Sequence, residues 1–303
     1  MTIAVTGGTG FVGQMLLDHA RAAGHDVRAL TRRDQPARAS VEWVRGDLHD
    51  QKTLRELVHG TEAVIHVAGV VNAPDIAGFE AGNVTGTLNL LEAAVAAGVP
   101  RFVNVSSLAA RQPGLSQYGA SKARAERLVA ASGLDWTTVR PPAVYGPRDS
   151  EMLDLFRMAR WGVVVLPPPG RMSVIHAGDL AALLLALLPS GERVTRATFE
   201  PDDGARDGWT NAAFAKAIGM AMGRKQVWTP HLSQGALMGV ARLDGALRRD
   251  KAKLTADRVH YMCHPDWVAS PRNQVPREIW KPTVRTPEGL GETAAWYRQQ
   301  GWL

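Results

Sequence analysis

The sequence predicts a doubly wound α/β fold, in which a parallel sheet carries helices on both faces. Along the first half, short runs rich in β-branched residues alternate with longer stretches whose apolar residues recur at spacings of three and four. This strand, helix, strand repetition implies right-handed crossovers and parallel strands. The second half is less regular and predicts a smaller, mainly helical domain.

The elements follow in order along the chain. The predicted strands are Ile3–Thr6, Val27–Thr31, Ala63–Val67, Phe102–Val105 and Thr137–Val139. The predicted helices are Phe11–Ala23, Thr53–Val58, Glu80–Ala97 and Ser116–Ala131. We place the domain boundary at residue 148, so that residues 1–148 form the first domain, with a later return near residues 174–188, and residues 149–303 form the second.

Composition excludes several classes of protein. The 303 residues include 35 Lys plus Arg, 29 Asp plus Glu and one cysteine, Cys263, so a disulfide framework is excluded. The longest apolar run, Leu180–Leu188, is far shorter than the roughly 20 residues that cross a bilayer, and the N-terminus lacks a secretory signal pattern. We therefore expect a cytoplasmic protein with no membrane partner.

The net charge of +6 lies mainly in the second half. Basic and acidic residues number 15 and 14 in residues 1–150 but 20 and 15 in residues 151–303. The most basic stretch, Arg242–Arg258, interleaves both signs, which is typical of a solvated helical face rather than of a nucleic-acid interface. We expect no nucleic-acid partner.

A glycine-rich turn follows the first strand and opens the first helix. It contains Gly7, Thr9, Gly10, Phe11, Val12 and Gly13. Glycines at these positions allow a tight turn and a close approach to a pyrophosphate, while the helix N-terminus offers free N–H groups. Because the turn stands between a strand and a helix, it predicts dinucleotide binding in a Rossmann-type domain.

The end of the second predicted strand indicates which dinucleotide binds. An acidic residue there suits the ribose 2′-hydroxyl of NAD, and a basic residue suits the 2′-phosphate of NADP. Here Arg32 and Arg33 follow Thr31, and two guanidiniums suit a phosphate. The sequence favours NADP(H), with NAD left open as the alternative.

A second motif places a phenol and an ammonium on one helix face. Tyr118 and Lys122 are four residues apart, and an ammonium beside a phenol favours the phenolate and lowers its pKa. Ser106 and Ser107 follow the strand Phe102–Val105, at the carboxyl edge where such sheets bind ligands. A hydroxyl there can hydrogen-bond a carbonyl or alkoxide oxygen.

Together these motifs resemble the extended short-chain dehydrogenase/reductases, of the NAD-dependent epimerase/dehydratase group. The resemblance spans residues 5 to about 185 and rests on the order of several short motifs. They are the glycine turn, Gly46-Asp47-Leu48, His66-Val-Ala-Gly69, Asn83 to Ala94, Val105-Ser-Ser107, Tyr118 with Lys122, Arg140 to Pro147 and Ile175 to Ala181.

The resemblance implies a role for each matching residue. Tyr118 would be the general acid/base, Lys122 would bind the nicotinamide ribose and lower the pKa of Tyr118, and Ser107 would orient the substrate oxygen. Further cofactor contacts are implied for Asp47, Leu48, Val67, Ala68, Gly69, Asn83, Pro141, Ala143 and Val144. Asp47 either reads the adenine or caps the following turn. Dimers are frequent in this family, so a homodimer is compatible with the resemblance.

The residues around Ser107 discriminate among the family's reactions. In the sugar-nucleotide dehydratases of the family that this chain resembles, a pair of carboxylate residues follows this position. Leu108 and Ala109 follow it here, so dehydration is disfavoured. The stretch Leu108–Gln117 is shorter than the one the family's sugar-nucleotide epimerases have between the serine and the tyrosine. This compact loop and the Trp- and Met-rich second half suggest an apolar pocket and favour an NADP(H)-dependent oxidoreductase that acts on a small or hydrophobic carbonyl or alcohol. The alternatives are a sugar-nucleotide epimerase with tightly held NAD and a non-catalytic nucleotide-binding accessory subunit. His260, Cys263 and His264 lack the paired spacing of a zinc site, so no metal is expected.

Overall fold

A computed structural model describes residues 1–249, 252 and 254–303. The chain divides into two compact units. The first comprises residues 1–140, 180–200 and 273–281, and the second comprises residues 141–179, 201–272 and 282–303. Each unit takes in segments distant in sequence, whereas the predicted division was a single boundary at residue 148 with a return near residues 174–188.

The first unit is built on a seven-stranded parallel sheet. Its strands are β1 (Thr2–Thr6), β2 (Asp26–Thr31), β3 (Val41–Arg45), β4 (Ala63–His66), β5 (Phe102–Val105), β6 (Trp136–Val139) and β10 (Ala197–Phe199). Their order across the sheet is β10-β6-β5-β4-β1-β2-β3, which confirms the doubly wound prediction. The order reverses between β1 and β4, where such sheets bind ligands.

Helices flank this sheet. They are α1 (Phe11–Ala22), α2 (Gln51–Val58), α3 (Ile76–Phe79) continuing through a π-helical turn (Glu80–Thr85) into α4 (Gly86–Ala96), and α5 (Gln117–Ala131), with a 3₁₀ turn at Leu108–Arg111. Side chains of Leu54, Leu57, Leu90, Phe102 and Val129 meet in a fully buried cluster. This cluster packs α2, α4 and α5 against the sheet.

The second unit is mainly helical and has two small sheets. Its strands are β7 (Ala143–Tyr145), β8 (Arg171–Met172), β9 (Val174–His176), β11 (Trp209–Thr210) and β12 (Asp266–Trp267). Its helices are α6 (Leu153–Arg160), α8 (Asn211–Ala221), α9 (Gln234–Arg248), α10 (Ala256–Met262) and α11 (Thr286–Gln299), and α7 (Ala177–Ala186) begins here and ends in the first unit. A core of Tyr145, Phe156, Phe214, Leu290 and Tyr297 joins α6, α8 and α11. None of the helices in the described ranges combines the length and hydrophobicity that a membrane crossing requires.

Candidate active site

The glycine turn after β1 forms a cradle of backbone at the start of α1. Gly7 has a φ of +74°, and a Cβ there would lie 2.6 Å from the backbone nitrogen of Ala68. A Cβ on Gly13 would overlap the carbonyl oxygen of Gly7, whose tight turn is closed by a 3.0 Å hydrogen bond from the Gly10 N–H. Gly10 caps α1 without a side chain, so the first N–H groups of the helix can receive an anion. These residues fit a pyrophosphate.

The rest of the turn lines the same cradle. Thr9 and Gly10 are exposed, and Phe11 and Val12 are half-buried. Val67 and Ala68 follow β4, and both are half-buried, while Gly69 is exposed. Backbone on both sides of the switch point between β1 and β4 is thus accessible to one ligand.

Arg32 and Arg33 follow the end of β2, and both side chains are exposed. The nearest carboxylate in sequence, Asp34, forms a 3.0 Å ion pair with Arg45 at the end of β3. Within the described part of the chain, no ion pair engages Arg32 or Arg33. The two guanidiniums stand at the strand end where this fold reads the cofactor ribose.

The loop after β3 holds Asp47 and Leu48. The Asp47 carboxylate is exposed and accepts a 2.7 Å hydrogen bond from the His49 N–H, so it caps the following turn. The Leu48 carbonyl accepts a 2.8 Å hydrogen bond from the side chain of Asn89 on α4. This anchoring leaves the second Asp47 oxygen available for an adenine contact.

Asn83 binds the loop after β4 through both ends of its amide. Its Oδ1 accepts a 2.7 Å hydrogen bond from the Val70 N–H, and its Nδ2 donates at 2.9 Å to the Val70 carbonyl and to Ser121 Oγ. Ser121 Oγ in turn donates at 2.7 Å to the Tyr118 carbonyl. The π-helical turn brings Asn83 to this position, a common use of such turns at functional sites. Asn83 therefore ties the loop after β4 to α5.

A buried histidine links the glycine turn to this network. His66 Nδ1 lies 2.7 Å from Thr6 Oγ1, and His66 Nε2 lies 2.9 Å from Thr87 Oγ1, which donates to the Asn83 carbonyl. Burial, with a smaller contribution from the Lys122 charge, lowers the pKa of His66 to about 3. His66 is therefore neutral at physiological pH and acts as a hydrogen-bonding bridge. Sequence reasoning noted it only as part of a motif.

Ser107 and Tyr118 are joined by a hydrogen bond between their side chains. Ser107 follows β5 and caps the 3₁₀ turn, where its Oγ accepts a 3.1 Å hydrogen bond from the Ala109 N–H. Burial raises the pKa of Tyr118, and the hydrogen bond with Ser107 only partly opposes this. The sequence expectation was that Lys122 lowers this pKa; in the structure the balance is set by desolvation, and the phenol is protonated at neutral pH.

Lys122 lies one helical turn after Tyr118 on α5, with its ammonium buried. Its Nζ donates a 2.8 Å hydrogen bond to the Val105 carbonyl at the end of β5. Burial lowers the pKa of Lys122 to about 8, and the charge of Glu126 opposes that shift. Gly69 is close enough that a Cβ there would lie 3.4 Å from Nζ. The ammonium thus lies beside the predicted cofactor-binding loop.

A chain of ion pairs runs from Glu126 on α5 to the buried Glu200. Glu126, one turn after Lys122, accepts hydrogen bonds of 2.9 and 2.6 Å from Arg140 Nε and Nη2. Arg140 and Arg111 both pair with the fully buried Glu200, at 3.4 and 3.2 Å. Sequence reasoning missed Glu126, although its spacing of four from Lys122 was a usable signal. Arg111 and Glu200 gave no such signal because they are far apart in sequence.

The remaining predicted site residues belong to the second unit. Pro141 is buried, and Ala143 and Val144 pair with Val174 and Ile175 in a two-stranded parallel sheet. Across residues 1–249, 252 and 254–303, no group of three or more His, Cys, Asp or Glu side chains is arranged to hold a metal ion. His264 instead packs its ring against Trp267.

Known proteins are similar to this chain in sequence or in fold. The model of the NAD dependent epimerase/dehydratase family matches residues 3–198. The ceramide reductase of Caulobacter vibrioides is 36% identical over 311 residues, covering 99% of this chain and 96% of that protein. Sterol demethylase protein B of Methylococcus capsulatus is 32% identical, covering 65% of this chain and 68% of that protein. MoeE5, solved with UDP-glucose and NAD, has a TM-score of 0.76 at 22% identity over 99% of both chains, and so shares the fold.

Proposed function

We propose a function for this chain from its membership of the NAD-dependent epimerase/dehydratase family, as an enzyme of the short-chain dehydrogenase/reductase type. It is an NADP(H)-dependent reductase that converts an apolar ketone to a secondary alcohol. The observation that carries this proposal is the hydrogen-bonded pair of Ser107 and Tyr118, with the buried ammonium of Lys122 one turn away. A phenol held beside a hydroxyl and an ammonium can act as the general acid in a carbonyl reduction.

The protonation states favour reduction. Burial keeps the phenol of Tyr118 protonated, which is the form that can give a proton to an alkoxide oxygen. Ser107 would hold the substrate oxygen, and the Lys122 ammonium would stabilise the phenolate left after proton transfer. When bound along the glycine turn, the dinucleotide supplies the hydride that reduces the carbonyl carbon. Hydride and proton together convert the ketone to the alcohol, and Tyr118 regains its proton from solvent.

The preference for NADP(H) is supported by the two exposed guanidiniums after β2. Replacing both, as Arg32→Ser with Arg33→Ser, removes charge-assisted hydrogen bonds to a 2′-phosphate, and we expect NADPH affinity to fall about ten- to hundredfold. NADH affinity should change less than about threefold, as should both affinities in the control variant Arg55→Ser, whose side chain is also exposed. Binding titrations measure both. Equal or better affinity of the wild-type chain for NADH contradicts the preference.

The substrate class is supported by the relatives and by the residues after Ser107. A relative that matches nearly the whole chain is named a ceramide reductase, and another is named for sterol demethylation. Leu108, Ala109 and Ala110 are buried and apolar, so the carboxylates that a dehydration would need do not follow Ser107. We therefore take the substrate to be a ketone on a long-chain lipid, such as an oxidised ceramide.

Loss of NADPH absorbance with such a ketone in detergent tests the reaction. Tyr118→Phe removes the proton donor, and we expect turnover to fall about a hundred- to ten-thousandfold. The matched control is Tyr297→Phe in the core of the second unit, because the buried Tyr297 hydroxyl has no hydrogen-bond partner among the described residues. Unchanged turnover in Tyr118→Phe sinks the mechanism. Interconversion of UDP-sugars without net consumption of NADPH would instead identify an epimerase.

A further inference from the structure

Helix α9 exposes an apolar face. Val240, Leu243 and Leu247 are 48%, 61% and 76% exposed, and their spacing of three and four places them on one stripe of the helix. The stripe rises about 10 Å along the axis. Large aliphatic side chains aligned in this way in water generally mark a contact surface.

The other side of α9 accounts for the helix's packing within its own unit. Leu237 and Ala241 are buried against Val259 of α10, with Met238 and Leu254 at the edge of this cluster. The stripe of Val240, Leu243 and Leu247 is therefore additional to the face that folds the helix onto its neighbour. It needs another explanation.

The exposed charged side chains that the structure describes on α9 and its C-terminal cap are all positive. Arg242 and Arg248 on α9 are exposed, and so is Arg249, which caps the C-terminal end of this helix. The single carboxylate of α9, Asp244, has a side chain only 15% exposed, where it pairs with Arg248 and accepts a hydrogen bond from the Leu254 N–H. Among the described residues of this helix and its cap, no carboxylate is exposed. The expected surface of interleaved charges over Arg242–Arg258 includes Asp250, Lys251 and Lys253, which lie outside the described residues.

Exposed leucines flanked by arginines are the pattern of a helix that lies in the plane of an anionic bilayer surface. We propose that α9 docks this protein on anionic phospholipid, with Val240, Leu243 and Leu247 inserted among the acyl chains and the arginines on the headgroups. The purpose of docking rests on the proposed function, since a long-chain ketone resides in the bilayer. This mode of contact is peripheral and requires no spanning helix.

Cosedimentation of the full chain with vesicles tests the docking. At about 0.1 M salt we expect at least tenfold tighter binding to vesicles of phosphatidylglycerol and phosphatidylethanolamine than to phosphatidylcholine. Leu243→Gln with Leu247→Gln should weaken binding to the anionic vesicles about tenfold or more. Arg242→Gln with Arg249→Gln should remove the preference for anionic lipid. The control Val95→Gln, an exposed apolar residue on α4, should bind as the wild type does.

Two further readouts separate docking from catalysis and from self-association. Tyr118→Phe should keep vesicle binding, and the double leucine variant should keep turnover of a short, water-soluble ketone while losing turnover of a vesicle-borne one. Wild-type protein that fails to sediment with anionic vesicles overturns the docking, even where the reductase activity is found. If the stripe instead joins two copies of the chain, sedimentation velocity would show a dimer that the leucine substitutions convert to monomers. Those substitutions would then leave vesicle binding unaffected, and this outcome too overturns the proposal.

Discussion

Each unit buries an ionisable side chain whose pKa moves toward neutrality. In the first unit, Lys122 is 6% exposed and burial lowers its pKa to about 8. In the second, Asp149 is 1% exposed and burial raises its pKa to about 6. Desolvation disfavours the charged form in both, which is why the two shifts have opposite signs. The partners of the two groups differ, and we expect that difference to separate a group that serves the proposed reaction from one that serves folding.

Asp149 is held by backbone at a helix start. Its carboxylate accepts hydrogen bonds of 2.7 and 3.2 Å from the N–H groups of Glu151 and Met152, just before α6 begins at Leu153. The Lys122 ammonium, in contrast, donates to a strand-end carbonyl and lies beside the loop that follows β4. A charge that satisfies a helix end is structural, whereas a buried cation at the ligand edge of a parallel sheet suits a bound substrate or cofactor.

Replacing Lys122 gives the largest expected effect. Lys122→Met removes the ammonium, and we expect turnover to fall at least about a hundredfold. The same change should stabilise the fold near pH 7, because depressing the pKa from 10.5 to about 8 costs the native state up to about 3 kcal/mol, less what the bond to Val105 returns. Lys216→Met on the surface of α8 is the control. Activity assays measure turnover, and urea unfolding measures the free energy of unfolding. A Lys122→Met variant that is active and less stable than the wild type contradicts the comparison.

The wild-type chain should also show this cost in its pH dependence. The native state binds fewer protons than the unfolded chain between about pH 8 and 10.5, so this contribution to the unfolding free energy rises with pH across that window. In Lys122→Met this contribution is absent, so the unfolding free energy should lack that rise with pH.

Asp149→Asn gives the intermediate effect. The folded pKa of about 6 exceeds the ordinary 3.8, so the native state binds more protons between about pH 4 and 6, and the unfolding free energy falls as pH rises through that window. The cost above pH 6 is at most about 3 kcal/mol, of which Asn recovers roughly 1–2 kcal/mol because it loses one of the two backbone hydrogen bonds. The unfolding free energy of Asp149→Asn should lose this fall between pH 4 and 6, and the variant should be fully active.

The control for this window is Asp154→Asn, a half-exposed position on α6 that pairs with Arg157. It should keep the wild-type slope. Urea unfolding at several pH values measures both variants. A slope that persists in Asp149→Asn would assign the pH dependence to another group, and a loss of activity would remove the distinction between the two buried charges.

The sequence predicted the parts of the fold that depend on local pattern. The glycine turn, the strands β1, β4 and β5 and the helix that carries Tyr118 and Lys122 have strong periodicity or fixed spacing. β3 was missed because Glu42 and Arg45 interrupt its apolar residues near the sheet edge. The strands of the second unit were missed because each has only two or three residues, too few for a period to show.

The supporting residues of the candidate site could not be predicted in the same way. Arg111 and Glu200 are 89 residues apart, and their contact depends on β10 joining the sheet beside β6. The pKa of Tyr118 likewise depends on burial, which the spacing to Lys122 does not reveal. Local spacing therefore indicates which groups share a helix face, and tertiary packing decides their protonation.

The smallest expected effect tests what supports the Lys122 charge. Glu126 raises the pKa of Lys122 against burial, while the neighbouring His66 is neutral and Tyr118 is protonated near pH 7. Glu126→Gln removes that support, so the pH at which kcat/KM falls on the alkaline side should decrease by about 0.5–1 unit. Glu126→Asp should restore it, and Glu80→Gln, which alters a different ion pair of α5, should not shift it. A purely structural role for Glu126 would lower kcat/KM equally at every pH, and that outcome would show that Lys122 keeps its charge without Glu126.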